Sequence, residues 1–385
     1  MNIQLMKLFD AVIGRIVASV FPAPLQITPP CTVTSLLLIR PGGIGDAVLL
    51  APAINSLKKT FPSARVSILA EKRNAGIFCL IPGVDNLLCY DSPGELFQAL
   101  LGSYDVVIDT EQWHRLSAVV ARMVSAPVKI GFCSNERRRM FTHTVPYSHD
   151  DYETLSFVRL LKPLGIEGAK MNGGVPFLFV PHAATDTVAG LLEPIQGDRF
   201  VTIFPGASIR ERRWGAERFR RVAEILAGFG IKTVVVGGKV DRRQGKVIAG
   251  NGVGLDLTGV LTLPETAAVI QKSALLLSGD SGVLHIATGL GIPTVSLFGS
   301  GRAKKWAPKG DDHLVINKNL PCSPCTTYGS TPSCSTGVQC MRDIDVDDVV
   351  NAVTMLLTTV GTMPFRCCNS ELIKTGGMSN STPAV

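Results

Sequence analysis

The chain has 385 residues, of which 46% are hydrophobic and 18% charged, with 38 glycines and 24 prolines. This composition excludes a disordered chain and a coiled coil, and the length suits roughly two or three domains, each able to bury a core without disulfide or metal staples. A net charge of +7 with only 5 Tyr and 3 Trp suits small anionic ligands or an anionic membrane face, and argues against nucleic acid.

Residues 3–21 repeat at helical spacing: Leu5, Met6, Phe9, Val12, Ile13, Ile16, Val17 and Val20 share one face, with Lys7, Asp10, Gly14 and Arg15 mostly opposite. The charges inside this stretch argue against a secretory signal, and no apolar run reaches the ~18 residues of a membrane span, so the expected compartment is the cytoplasm. Such a helix either lies on a membrane surface or packs on the protein itself. Pro22, Pro24, Pro29 and Pro30 end it and open a linker.

From residue 35 the pattern is strand, glycine-rich turn, helix. Strands are predicted at 35–39, 65–70, 86–90, 105–109 and 128–131, with helices near 46–59 and 113–124. The pattern restarts near residue 200, with strands at 200–204, 233–236, 274–278 and 293–298 and helices at 217–229, 264–272, 282–289 and 345–358. This alternation predicts two α/β units with parallel, doubly wound sheets. The expected divisions are an amphipathic segment and linker (1–33), two domains (34–185 and 186–360) and a polar, disordered tail (361–385). Ligands of such sheets bind beyond the strand carboxyl ends, so the chemistry is expected in the loops after Ile39, Phe204, Val236 and Ser278.

The first loop is Arg40-Pro-Gly-Gly-Ile-Gly-Asp46. Its glycines permit a sharp turn and close approach of a ligand. Gly43-Ile-Gly45-Asp46-Ala47-Val48 has Val where a dinucleotide fingerprint needs its third glycine, and Asp46 would repel a pyrophosphate; no Lys-Ser/Thr follows, so a P-loop is excluded too. Asp46 reads either as a helix cap or as a carboxylate base at the mouth of a cleft, with Gly43 and Gly45 leaving room for an incoming hydroxyl. The second loop runs from Phe204 to Trp214. Its backbone N–H groups, Ser208 and the cations Arg210, Arg212 and Arg213 make either a diphosphate cradle or an exposed basic turn. In the third, Ser278–His285, the N–H groups of Asp280, Ser281 and Gly282 face a potential phosphate and Asp280 suits sugar hydroxyls. His285 is either part of the site or a packed histidine.

Taken in order, these loops resemble glycosyltransferase family 9, the lipopolysaccharide heptosyltransferases. The resemblance rests on residues 38–52, on Phe-Pro-Gly-Ala-Ser (204–208) with Arg213-Trp214, on 278–287, and on Gly-Ile-Pro-Thr-Val-Ser-Leu-Phe-Gly (291–299). It implies a GT-B architecture, two facing Rossmann-like domains with a central cleft. It implies inverting transfer of heptose from ADP-heptose to Kdo-lipid A or a core heptose, without a catalytic metal. In that family's pattern Asp46 is the base, and Arg40, Gly43 and Gly45 form the acceptor-side loop. Ala207, Ser208 and Gly282 meet the phosphates, and Arg213 stands where the family usually has Lys. Asp280 contacts the sugar, His285 is the motif histidine, and the turn near Leu261 meets the adenine through its backbone. A lipid-linked acceptor would bring residues 3–21 to the inner membrane surface. Two competing classes remain. A dinucleotide oxidoreductase fails on the fingerprint. A non-catalytic nucleotide-sugar-binding module would keep the loops of the C-terminal half and could dispense with Asp46; a transferase using another nucleotide sugar is a further alternative. Finally, Cys322-x2-Cys325-x8-Cys334-x5-Cys340 has a spacing that suits a structural zinc site, free thiols or disulfides.

Overall fold

A computed structural model describes residues 10–30, 32–167 and 176–359. The expected tail and the first nine residues lie outside the described residues. In the N-terminal unit, β1 (Ser35–Arg40), β2 (Arg65–Ala70), β3 (Asn86–Cys89), β4 (Val106–Asp109), β5 (Val128–Phe132) and β6 (His143–Val145) form one sheet of order β3-β2-β1-β4-β5-β6. In the C-terminal unit, β7 (Phe200–Phe204), β8 (Lys232–Val235), β9 (Leu255–Asp256), β10 (Leu275–Gly279), β11 (Thr294–Phe298) and β12 (His313–Asn317) follow the order β12-β11-β10-β7-β8-β9. Numbered from its own first strand, each sheet runs 3-2-1-4-5-6, and the ladders are parallel, with Ile39 opposite Leu69 and Asp109, and Leu277 opposite Ile203 and Val295. Parallel strands covered by helices on both faces must be apolar throughout, which is why Leu36, Leu37, Leu38 and Ile39 are all buried. Each such side chain contributes ~1.5–3 kcal/mol of burial.

The strand order reverses between β1 and β4 and again between β7 and β10. These are the two crevices where such sheets bind ligands, and they bring the first, second and third loops to the centre of the molecule. Helix α1 (Arg15–Val20) continues a π-helical turn, Asp10–Gly14. The helix expected over 46–59 is two helices, α2 (Ile44–Leu49) and α3 (Ala51–Thr60), because Pro52 has no N–H to continue the ladder. The first crossovers are completed by α4 (Lys72–Phe78), α5 (Pro93–Leu101), α6 (Leu116–Met123) and α7 (Glu153–Arg159). Those of the second unit are α8 (His182–Leu191), α9 (Ala216–Gly228), α10 (Arg242–Ala249), α11 (Leu263–Lys272), α12 (Gly282–Gly289) and α13 (Ala303–Trp306). After β12 the described chain closes with α14 (Gln339–Arg342) and α15 (Val346–Thr359).

Two expectations change. Ala184 and Val188 of α8 share a core with Phe200, Val234 and Val236. The chain therefore enters the second unit before residue 182 and not at 186. The N-terminal helix docks by its small and polar face: Asp10, Gly14 and Ala18 are buried, while Val12, Ile16 and Val20 are 51, 56 and 76% exposed. Both Oδ1 bonds of Asp10 go to the first amides of α6, from Arg115 N at 2.7 Å and Leu116 N at 2.8 Å. Of the apolar face that the spacing predicted, Val12, Ile13, Ile16 and Val20 face outward, and Leu5, Met6 and Phe9 lie outside the described residues.

The two units are not separated by solvent everywhere. Leu276, Val283, Ile286 and Ala287 of the second belong to the same core as Ile54, Ile77 and Phe78 of the first. The segment entering the second unit binds both: Leu178 N donates to Gly289 O and Phe179 N to Leu80 O.

Candidate active site

At the junction, α2 and α12 meet through glycines. A Cβ on Gly282 would lie 2.7 Å from Ile44 Cβ and 2.9 Å from the Gly45 nitrogen, and one on Gly45 would lie 2.7 Å from His285 Cδ2. Gly45 is thus spent on contact between the units and not on room for an incoming hydroxyl. Gly43 is the N-cap of α2, and a Cβ there would stand 2.6 Å from Asp46 Oδ2. Its bareness lets the carboxylate fold back over the turn.

Asp46 itself is the third residue of α2, so the cap reading is excluded. Its Oδ1 accepts from Gln112 Nε2 at 3.1 Å and lies 3.9 Å from Arg40 Nη1. Its Oδ2 accepts no hydrogen bond among the described residues, and the side chain is 21% exposed. Arg40 is not a surface contact for an acceptor. It is buried, donates to Pro41 O and Thr110 O, and pairs with Glu111 at 3.0 Å. Burial works to lower its proton affinity, and Asp46 and Glu111 overcome that and push it up. Glu111 is held below the usual carboxylate range, because Arg40 and its other neighbours outweigh burial. A second buried pair, Arg137–Asp109 at 2.6 Å, anchors the end of β4. Gln112 bridges onward, since its Nε2 also donates to Glu153 Oε1 at 2.5 Å.

On the other side, Asp280 is buried at the end of β10 and pairs with Arg212 Nη1 at 2.9 Å. Burial pushes its carboxyl up and Arg212 draws it back. Arg213, the cation expected at the donor, folds onto its own loop and donates to Ala207 O through Nε and Nη2 at 3.0 and 2.8 Å. The guanidinium nearer the third loop is therefore that of Arg212. Ser208 is exposed beside buried Ala207. Ser281 is the N-cap of α12, its Oγ accepting from Leu284 N at 3.3 Å, with Ser278 Oγ 2.9 Å away. His285 is buried on that helix, and its Nδ1 has no partner among the described residues. Burial, with Arg212 nearby, pulls its pKa down to about 4, so the ring is neutral at physiological pH. Leu261 packs beside Val236 and Leu257, and Gly259 N donates to Gly237 O at 2.8 Å, so its turn sits on the carboxyl edge of β8.

Aromatic rings from both units meet beside Gln112. Trp113 stacks on Tyr328 at 4.2 Å between centroids, and His149 approaches the same ring at 4.4 Å. Tyr328 belongs to the cysteine-rich loop. Cys322, Cys325, Cys334 and Cys340 are all free thiols, with Cys340 buried. Among the described residues no set of three or more His, Cys, Asp or Glu is gathered closely enough to hold a metal. The sequence named Arg212 among the loop cations without choosing it over Arg213, and spacing alone missed Gln112 and Glu153. Gln112 was accessible in principle, because it follows β4 at the crevice beside β1.

The arrangement joins a partly exposed carboxylate to a cation-lined loop at two doubly wound crevices. The sequence profile of glycosyltransferase family 9 (heptosyltransferase) matches residues 94–335. The chain belongs to this family. Lipopolysaccharide heptosyltransferase 3 of Escherichia coli is 26% identical over 289 residues, 69% of this chain and 83% of that one. A family 9 glycosyl transferase from Veillonella parvula superposes with a TM-score of 0.73 at 20% identity, covering 86% of this chain and 98% of its own. E. coli ADP-heptose lps heptosyltransferase II does so at 0.70 and 17%, covering 85% and 100%. This glycosyltransferase has the GT-B fold, and among its described residues no helix is long and apolar enough to cross a membrane.

Proposed function

We propose that this glycosyltransferase moves heptose from ADP-heptose to the inner core of lipopolysaccharide, either Kdo-lipid A or a heptose already on it. The observation that carries the reading is the meeting of α2 and α12. It puts the Asp46 turn against the helix whose N-terminus follows Asp280. Asp46 Oδ2 takes the proton of an acceptor hydroxyl, and the hydroxyl oxygen attacks the anomeric carbon from the side opposite ADP. The bond from that carbon to the diphosphate breaks, and the configuration inverts. Charge on the departing diphosphate is met by Arg212, by Arg213 and the Ala207–Ser208 backbone, and by the amides of Gly282 and Val283, which Ser281 leaves uncapped. These groups do the work a metal does elsewhere, so the reaction needs none. Asp280 receives sugar hydroxyls, and the Leu261 turn receives the adenine.

The names of the relatives support the donor and acceptor class. The outward apolar face of Val12, Ile16 and Val20, with Arg15 and the exposed Arg138 and Arg139 nearby, supports peripheral contact with the cytoplasmic face of an anionic inner membrane, where a lipid-linked acceptor lies. A non-catalytic binding module would have no use for the Asp46–Gln112 arrangement. Incubation with ADP-heptose and a panel of truncated core acceptors, read by mass spectrometry, tests the proposal. One acceptor should gain a single heptose. ADP-heptose left intact with every acceptor would reject it.

A further inference from the structure

Lys305 is rooted in α13 of the C-terminal unit, yet the partners of its ammonium group lie in the N-terminal unit. Nζ is 2.6 Å from Glu153 Oε2, and it donates to Ser148 O at 2.8 Å and Asp151 O at 3.3 Å. It also sits 4.3 Å over the Tyr147 ring. Lys305 is 2% exposed and Glu153 is fully buried. Stability alone does not account for such a pair, because apolar residues of similar volume usually serve as well. Its position suggests another use. Glu153 accepts from Tyr147 Oη and, through Oε1, from Gln112 Nε2. That same nitrogen donates to Asp46 Oδ1. One amide group, with two protons, thus spans two carboxylates, and it spans them in this way while both oxygens accept.

We propose that Lys305 is a positioning residue, an interdomain latch that pairs with Glu153 so that Gln112 holds Asp46 in its working orientation when the two units are together. The proposal rests on Asp46 being the base. Separation of the units withdraws the ammonium from Glu153 and releases the amide; their approach restores both. The base is thereby aligned only in the closed enzyme, with donor and acceptor enclosed. A shift of ~1 Å in a reacting group can cost about a hundredfold in rate, which is the scale such a device controls.

The test follows from the charges facing Glu153: Asp46, Arg40 and Tyr147 from its own unit, and Lys305 and Tyr328 from the other. Burial, with the Asp46 charge, holds the Glu153 proton affinity above its ordinary value, and Lys305 and Gln112 pull against that rise. Lys305→Met removes the opposing cation, so Glu153 should take up a proton in the working pH range. Turnover should fall about tenfold or more, with donor KM within about twofold of the parent, as the donor loops are untouched. The pH profile of kcat should gain an extra limb, rising with pH as Glu153 ionises. Lys305→Arg should restore the parent profile. The double variant Glu153→Gln with Lys305→Met leaves no buried unpaired charge and should lack the extra limb. In a Gln112→Leu background, Lys305→Met should cost little more. Parent-like kcat and profile in Lys305→Met, a limb that persists in the double variant, or full additivity with Gln112→Leu would each overturn the proposal. Asp46→Ala, assayed alongside, separates the two ideas: an active Asp46→Ala enzyme removes the base reading, whereas an inactive one beside an unaffected Lys305→Met enzyme removes only the latch.

Discussion

Gly282→Ala adds one methyl group at the joint between the units. The new Cβ would stand 2.7 Å from Ile44 Cβ and 2.9 Å from the Gly45 nitrogen. Ordinary carbon contacts lie at ~3.5–4.0 Å, so α2 and α12 must move apart by roughly 1 Å. One obstacle is backbone, and no rotamer change relieves it. Overpacking of this kind costs about 1–3 kcal/mol, and the helix-propensity gain of Gly→Ala offsets under about 1 kcal/mol of it. The larger effect falls on turnover, since the Asp46 turn retreats with α2 and a 1 Å misplacement can cost ~100-fold. Gly190→Ala and Gly228→Ala are matched controls, both helical glycines with nothing within 4 Å of the added methyl. Steady-state kinetics and thermal unfolding of the three variants decide the matter. The expected result is a strong loss of kcat in Gly282→Ala alone, with a modest loss of stability. If Gly282→Ala turns over like the controls, the close joint is not what brings the two loops into register.

Arg212→Ala should weaken donor binding more than Arg213→Ala, because Arg212 meets Asp280 while Arg213 is engaged with Ala207 O; calorimetric titration with ADP checks the order. His285 has its folded pKa lowered to about 4 against an unfolded value near 6.5. The unfolded chain therefore binds the extra proton first, and stability is lost as pH falls from about 6.5 to about 4, by roughly 3 kcal/mol from this group. Thermal melts should show that loss in the parent and less of it in His285→Asn. Ile16→Ser combined with Val20→Ser should release the enzyme from vesicles containing anionic lipid while leaving its melting temperature nearly unchanged, since both side chains face outward. Unchanged vesicle binding rejects the membrane contact.

The parallel strands were legible because burial on both faces demands continuous apolar runs, and 65–70 and 200–204 match β2 and β7 to the residue. The missed strands were sheet edges: β6 has three residues and β9 two, too short for an alternating or apolar run, and β12 leaves its Leu314-Val315-Ile316 run only partly buried between polar ends. The glycine-rich loops advertised the junction, where Gly282 packs against Ile44 and Gly45 beside Asp46. Three features were not legible. Arg212 and Arg213 are adjacent residues of one type, and only the turn geometry decides which faces Asp280. Gly45 reads as a glycine that leaves room for a hydroxyl and Gly282 as an amide donor to phosphate, yet the bareness of both serves helix contact. The chain from Asp46 through Gln112 and Glu153 to Lys305 joins residues far apart in sequence, and pairwise geometry of that kind leaves no local pattern.

The proposed mechanism turns on Asp46 as the general base. The most direct measurement is kcat of Asp46→Ala with ADP-heptose and the accepted core fragment, beside calorimetric donor binding and a thermal melt. The expected result is a loss of about 10²–10⁴ in kcat, with donor affinity and folding close to the parent. A folded Asp46→Ala enzyme with near-parent kcat would contradict it.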